Sequence, residues 1–421
     1  MYVAYNKKNV ITAVSEKPFS ITGQTTVLKD YPVPRTEWHK LIGTKLNQGQ
    51  HKQVADLRVA FICNWNDFCG ISTYTKFLVD AITPKVKELH IFSESLPTLP
   101  TTPDGPNVTR CWERGKSMKS AIDKVLEWKP DFIIVQHEFG IFPKASFFLQ
   151  MLQLIEEVPY VVTMHSIYEH LDKSVCTSAV KNIVVHSNEA MQCLRKTGNN
   201  SKVFVIPHGC IILDDVEKKE LWNIFQTPYA LVQFGFGFFY KGVDKVLDAI
   251  HYLKQTYPDK YKEIFYCYLC SDNVHTSIVH AQYYDFLLNK IEKLDLHDNA
   301  VIIKKFQTDK TINHYLRTAK IALFPYVSDP NNMVFGASGA IRIAMANGIP
   351  VIASDTHMYD DLEGVIPRPA DHIELAKEID KIFSSEIYRN NLLKRISNYI
   401  IENNWDVTAD RYIGLYNDVA D

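Results

Sequence analysis

From Leu57 onward the chain alternates short apolar runs with segments of helix length, and it does so in two series. In the first, "RVAFIC", "DFIIVQH", "YVVTMH", "NIVVHS" and "VFVIPH" are apolar without polar alternation, the pattern of strands buried on both faces of a parallel sheet. "STYTKFLVDAI" and "SMKSAIDKVLEW" stand between them as helices. The series weakens over residues 211–228 and resumes with "YALVQFG", "FYCYLC", "AVIIKKF", "KIALFPY" and "PVIASD", separated by helices such as "KVLDAIHYLKQ" and "SGAIRIAMAN". This alternation predicts an α/β fold of doubly wound, Rossmann-like domains in tandem. The expected division is residues 56–215, residues 225–395, and helices over 396–421 that pack back on the first domain.

Residues 1–55 depart from the alternation. "YVAYNKKNVITAVS" and "FSITGQTTVLKDY" predict a short β-hairpin or small sheet. Residues 1–54 hold eight Lys and Arg against three Asp and Glu, which reads either as a solvated extension or as a basic contact for an anionic acceptor or partner. The whole chain has a net charge of -2, which argues against a general polyanion binder. No apolar run approaches the roughly 18–20 residues of a membrane span, and "MYVAYNKKNV" lacks the apolar stretch of a secretion signal. The eight cysteines are scattered, as suits free thiols, so a cytoplasmic protein is expected, with peripheral membrane contact as an option. Cys267 and Cys270 form a CxxC within a predicted strand, where residues three apart face opposite sides, so a structural role is expected for them.

In open α/β sheets, ligands bind beyond the carboxyl ends of the strands. Four predicted strands end in or beside histidine, at His137, His165, His186 and His208, which predicts a polar cleft. No HxH or HExxH spacing accompanies them, so no metal is expected. Gly70, in "NWNDFCGISTYTKFLVDAI", precedes a helix whose free N–H groups attract anions. Gly235 and Gly237 follow a strand, and Lys241 stands just before a helix. Their spacing fits neither a Walker A loop nor GxGxxG, yet a lysine on such a turn can neutralise a diphosphate. In "VFGASGAIRIAMANGIPVIASD", Ser338 is the predicted N-cap, Gly339 and Ala340 follow with free N–H groups at the positive end of the helix dipole, and Gly348 closes the helix. This loop predicts a phosphate site.

Taken in order, "QHEFGIF", "TMHS", "VIPHG", "GFGFFYKG", "FPY", "ANGIPVIASD" and "WDVTADRYIGLY", on two tandem α/β domains, resemble family 4 of the retaining glycosyltransferases, which have the GT-B fold of two lobes facing a cleft. The resemblance covers residues 57–416. It implies that Gly70 lies under the donor diphosphate, that His165 faces the donor sugar, and that Lys241, on the turn of Gly235 and Gly237, binds the diphosphate. The N–H groups of Ser338, Gly339 and Ala340 would hold the distal phosphate. Backbone at residues 270–272, including Asp272, and at 306–308, with Phe306 and Gln307, would flank the nucleobase. Asn66, Asp67, His137 and Glu138 would line the acceptor side, and His165, Lys241 and Glu138 are the catalytic candidates. The Glu-x7-Glu pair often found in the family falls here at Phe335 and Ile343, and the usual arginine of the lysine turn falls at Phe236. "ASGAIR" is similar to relatives with a Ser-Gly helix start, and Arg342 is expected to supply the positive charge absent at Phe236.

The activity implied is transfer of a sugar, with retention of configuration, from a nucleoside-diphosphate sugar (UDP- or GDP-linked), without a bound metal or cofactor. No carboxylate is well placed as a nucleophile, which favours a front-face route. The expected acceptor is a saccharide or lipid-linked glycan, and the alternative is a modified base in DNA. Two further alternatives are a non-catalytic binding protein on the same fold, prompted by the lost carboxylate pair, and an epimerase or phosphorylase sharing the fold.

Overall fold

A computed structural model of the chain describes residues 2–5, 11–15, 25–28, 52–67, 69–95, 103–169, 179–213, 223–271, 277–329, 331 and 333–420. The chain forms two compact units, Met1–Gln53 with the last two residues, and Val54–Val419. In the first unit, Tyr2–Tyr5 is the central strand of a three-stranded antiparallel sheet, flanked by Ile11–Ser15 and Thr25–Leu28. Of the hairpin or small sheet expected there, the structure has the small sheet.

The second unit contains two parallel sheets. The seven-stranded sheet of the first lobe runs in the order Lys202–Val205, Asn182–Val185, Tyr160–Met164, Phe132–His137, Arg58–Cys63, Glu88–Glu94, Val108–Trp112. The strands Glu88–Glu94 and Val108–Trp112 carry glutamate, histidine and arginine toward one margin, so a search for unbroken apolar runs passes over them. The five-stranded sheet of the second lobe runs Ala300–Lys304, Phe265–Ser271, Ala230–Phe236, Ile321–Phe324, Val351–Ala353. Each lobe winds outward in both directions from its first strand. The switch points therefore fall between Arg58–Cys63 and Phe132–His137 in the first lobe, and between Ala230–Phe236 and Ile321–Phe324 in the second. Side chains cannot close the sheet end at a switch point, because the connections leave in opposite directions and open a crevice there. The loops carrying Gly70 and Lys241 follow these two first strands.

Each sheet has its own apolar core. The last helix, Trp405–Val419, crosses back onto Gly70–Ile82: Tyr412 Oη lies 2.9 Å from Tyr74 Oη and 2.9 Å from Thr163 Oγ1, and Lys85 pairs with Asp406 and Asp410. A short antiparallel pair, Ser166–Tyr168 with Val334–Gly336, joins the lobes on another side. Cys267 and Cys270 are both buried in the strand Phe265–Ser271, and the described cysteines are free thiols. Among the described residues no helix is long and apolar enough to cross a membrane.

Candidate active site

A cleft of about 830 Å³ is lined from both lobes. On the first lobe its wall includes Gly70, the first residue of helix Gly70–Ile82. Cys69 caps this helix, its Sγ accepting from the Ser72 N–H at 3.4 Å and from Asn64 Nδ2 at 2.8 Å. A Cβ on Gly70 would meet nothing within 4 Å, so the helix start is open to a ligand. The first-turn N–H groups have no partner within the helix and present partial positive charge there.

On the second lobe, the strand Ala230–Phe236 carries Gly235, at φ +140, as its penultimate residue and leads into the one-turn segment Phe239–Lys241. The next residue, Gly242, has φ +63, and a Cβ there would lie 1.8 Å from the Pro325 carbonyl oxygen. Only glycine fits, so the backbone that positions Lys241 is fixed by a steric requirement. Lys241 is 8% exposed. Its Nζ donates to Tyr326 Oη at 2.5 Å and lies over the rings of Tyr326, at 4.0 Å, and Tyr240, at 5.0 Å. Burial alone would depress an ammonium, but the hydroxyls of Tyr326 and Tyr240 outweigh it and hold Lys241 above the ordinary lysine range. Among the described residues no carboxylate pairs with it.

Tyr326 Oη is also 3.5 Å from Ser338 Oγ, the N-cap of helix Gly339–Ala346. The Ser338 side chain makes no capping bond, so the N–H groups of Gly339 and Ala340 stay free at the cleft wall. The glycine–lysine turn and the serine–glycine helix start, predicted separately from sequence, thus meet through one tyrosine hydroxyl. Tyr326 was given no role from sequence. Its signals are its place in "FPY" and just beyond the strand Ile321–Phe324.

Three of the four strand-end histidines surround Tyr74, with ring centroids 4.7 Å away for His165, 5.4 Å for His186 and 4.9 Å for His208. Burial lowers the pKa of all three, so they are neutral at neutral pH. His208 lines the cleft, and its Nε2 would be 3.3 Å from a Cβ on Gly339, so it crowds the second lobe's helix start. His165 hydrogen-bonds through Nε2 to Gln136 Oε1 at 2.7 Å, while the next residue, Ser166, reaches the cleft wall. Among the described residues no three His, Cys, Asp or Glu side chains are placed to hold a metal ion.

Several expectations are corrected, two of them with a clear chemical consequence. His137 does not line the acceptor side. It is fully buried against Phe139, Phe142 and Phe148, at centroid distances of 5.2, 5.4 and 4.5 Å, and neither ring nitrogen has a partner. Burial lowers its pKa to about 3. Arg342 does not offer free positive charge to a ligand. Its guanidinium pairs with Asp361, both side chains being 2% exposed, and donates to the Ser338 carbonyl at 2.8 Å. Tyr399 Oη donates to the same carboxylate at 2.9 Å. The arginine braces the helix start from behind. Arg342→Ala leaves a buried carboxylate unpaired, so chemical denaturation should show a loss of about 3–5 kcal/mol.

The remaining candidates are dispersed. Phe306 and Gln307 line the cleft, Phe306 with 56% of its surface exposed. Asp67 lines it too and pairs with Arg114 at 3.4 Å. Asn66 turns aside at φ 53 and donates to Asp104 Oδ1 at 3.0 Å. Glu138 accepts from the Phe139 N–H at 3.1 Å and bonds Ser166, and burial raises its pKa. Gly237 sits against the neighbouring strand instead of the cleft: its N–H donates to the Ser271 carbonyl at 3.1 Å, and a Cβ would meet Cys270 Sγ at 2.8 Å. Asp272 lies outside the described residues. Of the positions where the family's glutamates fall, Ile343 lines the cleft and Phe335 is 9% exposed.

Residues 214–401 match the family model described as glycosyl transferases group 1. Solved structures are similar over most of the chain. HepE from Anabaena in complex with UDP is 13% identical, with 86% of this chain and 100% of that one covered at a TM-score of 0.61. A UDP-forming trehalose-phosphate synthase from Burkholderia xenovorans is 12% identical, covering 87% and 100% at 0.65. The E. coli trehalose-6-phosphate enzyme bound with UDP-2-fluoro glucose is 11% identical, covering 86% and 99% at 0.62. The fold is that of the GT-B glycosyltransferases, and the chain carries a group 1 glycosyltransferase domain, an enzyme of class EC 2.4.

Proposed function

Starting from a group 1 glycosyltransferase domain, we propose that this enzyme resembles family 4 in mechanism, moving a sugar with retention from a nucleoside-diphosphate sugar to a hydroxyl of a saccharide or lipid-linked glycan. The observation that carries the reading is the chain Lys241–Tyr326–Ser338. It joins a buried ammonium, with no carboxylate partner among the described residues, to a helix start with free N–H groups, on the wall of one two-lobed cleft. A second helix start, at Gly70, lines the same cleft from the other lobe. Breaking the anomeric C–O bond builds negative charge on the departing diphosphate. Positive groups already fixed in place stabilise that charge without reorganisation. UDP is the first donor base to try, because similar structures hold it.

Among the described residues no carboxylate bonds Lys241, Tyr326 or Ser338, and the carboxylates that line the cleft, Asp67, Asp309 and Asp329, lie outside that chain of contacts, which supports a front-face route in which the leaving diphosphate receives the acceptor's proton. The acceptor hydroxyl then forms the new C–O bond on the face the diphosphate leaves. The test is a thermal-shift screen with UDP, GDP and their sugars. A ligand at 100 times its dissociation constant stabilises the native state by about 2.7 kcal/mol, a readable rise in melting temperature. The best sugar nucleotide is then incubated with glycan acceptors, and NMR of the product reads the anomeric configuration. Inversion would rule out the retaining assignment, and no shift with any nucleotide would rule out the donor reading.

A further inference from the structure

We propose that Phe335 is a positioning residue: buried in the first lobe's core, it holds the second lobe's phosphate-binding helix start in fixed register with the His165 loop. The proposal rests on the reading of the cleft as a diphosphate site. Phe335 lies on the strand Val334–Gly336, which belongs to the second lobe and runs two residues ahead of Ser338. That strand pairs antiparallel with Ser166–Tyr168 of the first lobe, Val334 opposite Tyr168, Phe335 opposite Ile167, and Gly336 opposite Ser166. The partner strand begins immediately after His165. The segment after His165, whose Ser166 lines the cleft, and the segment leading to the Ser338 helix start are therefore hydrogen-bonded to each other across the lobes.

Side chains reinforce the pairing from both directions. Phe335 is 9% exposed and belongs to the first lobe's apolar cluster together with the fully buried Ile167, and Met333 packs on the same cluster. Its outer face stacks on His357, centroids 4.1 Å apart and planes at 24°. His357 is itself held by Asp360 at 2.8 Å, and its carbonyl accepts from the Gly336 N–H at 3.4 Å. Gly336 permits the approach: a Cβ there would lie 2.8 Å from the His165 carbonyl oxygen and 3.3 Å from Met358 Sδ. Helix Asn188–Lys196 lies against both strands. A carboxylate at position 335 would be buried in this apolar cluster, which is costly without a partner. Here an aromatic ring makes an interlobe anchor instead, and both halves of the site move as one body.

Hydrogen exchange on the ligand-free full-length protein tests this. Peptides covering Ser166–Tyr168 and Val334–Gly336 should exchange as slowly as those from the flanking sheets. Exchange at loop rates without ligand would overturn the proposal. In Phe335→Ala, exchange at 166–168 should rise at least about tenfold, while Phe132–His137 and Ile321–Phe324 stay at wild-type rates. The UDP dissociation constant by calorimetry should rise about tenfold or more. Phe335→Leu should restore both. Gly336→Ala, which keeps the ring but forces the strands apart, should weaken UDP likewise and covers the case in which Phe335→Ala disturbs the core. A wild-type protein that binds neither UDP nor GDP defeats the diphosphate reading, and the role of Phe335 with it. Equal UDP affinity in wild type and Phe335→Ala defeats only the role of Phe335.

Discussion

Lys241→Met is expected to lower turnover on the best sugar nucleotide by about 10²–10³-fold, the usual cost of losing one preorganised charge at a developing anion. The ammonium is 8% exposed and lies among the rings of Tyr240 and Tyr326, so water cannot replace it efficiently. Methionine keeps the apolar stem and fills similar space, so the effect should fall on chemistry and nucleotide affinity more than on folding. Arginine is a poor substitute, because its planar fork needs room and partners that the two tyrosine hydroxyls do not supply. Tyr326→Phe removes the link to Ser338 while leaving the charge, so it should cost less than Lys241→Met. Turnover by nucleoside-diphosphate release and affinity by calorimetry measure both. Unchanged turnover in Lys241→Met would mean that the leaving-group charge is met elsewhere.

The second large effect is acid sensitivity. Burial holds the pKa of His137, His165, His186 and His208 below the ordinary imidazole value of about 6.5. Below that value the unfolded chain binds protons that the folded protein refuses, so stability falls as pH falls. Above about pH 7 both states are neutral and these groups contribute no pH dependence. Each histidine that stays neutral in the fold contributes a slope of about 1.4 kcal/mol per pH unit. Near pH 6.5 each gives about half of that, because the unfolded imidazole is only half protonated, and the full slope is reached about a unit lower by those still neutral in the fold, against a typical total stability of about 5–15 kcal/mol. For His137 the loss continues until the folded pKa of about 3 is reached. Thermal melts should be flat from pH 8 to 7 and drop steeply from 6.5 to 5. His137→Phe should lessen the slope by about 1.4 kcal/mol per unit. It should also add roughly 1–3 kcal/mol at pH 7, because both imidazole nitrogens are buried without partners. A melting temperature that stays level down to pH 5 would contradict the neutral cluster.

The histidines show how far a strand-end pattern can be read. Four imidazoles at equivalent strand ends are visible in the sequence, and three of them do gather, around Tyr74. The fourth, His137, closes its strand facing the aromatic side chains of Phe142 and Phe148. The direction of a side chain at a strand's last residue depends on strand phase and on which helix covers that face, and neither is local. Arg342 gives the same lesson in charge. It is the one strong cation in its helix, so its free positive charge looked like a ligand for phosphate, but Asp361, distant in sequence, neutralises it.

The sequence by itself determined the two series of strands and helices, the glycine-lysine turn and the serine-glycine helix start, because apolar periodicity, helix capping and glycine's backbone freedom act over a few neighbouring residues. Only the tertiary structure decided that Tyr326 would join Lys241 to Ser338, that Phe335 would enter the other lobe's core, and that His137 would lie away from the cleft. Those outcomes depend on which faces the packed sheets and lobes present to one another, and contacts between residues far apart in the chain leave no local signature.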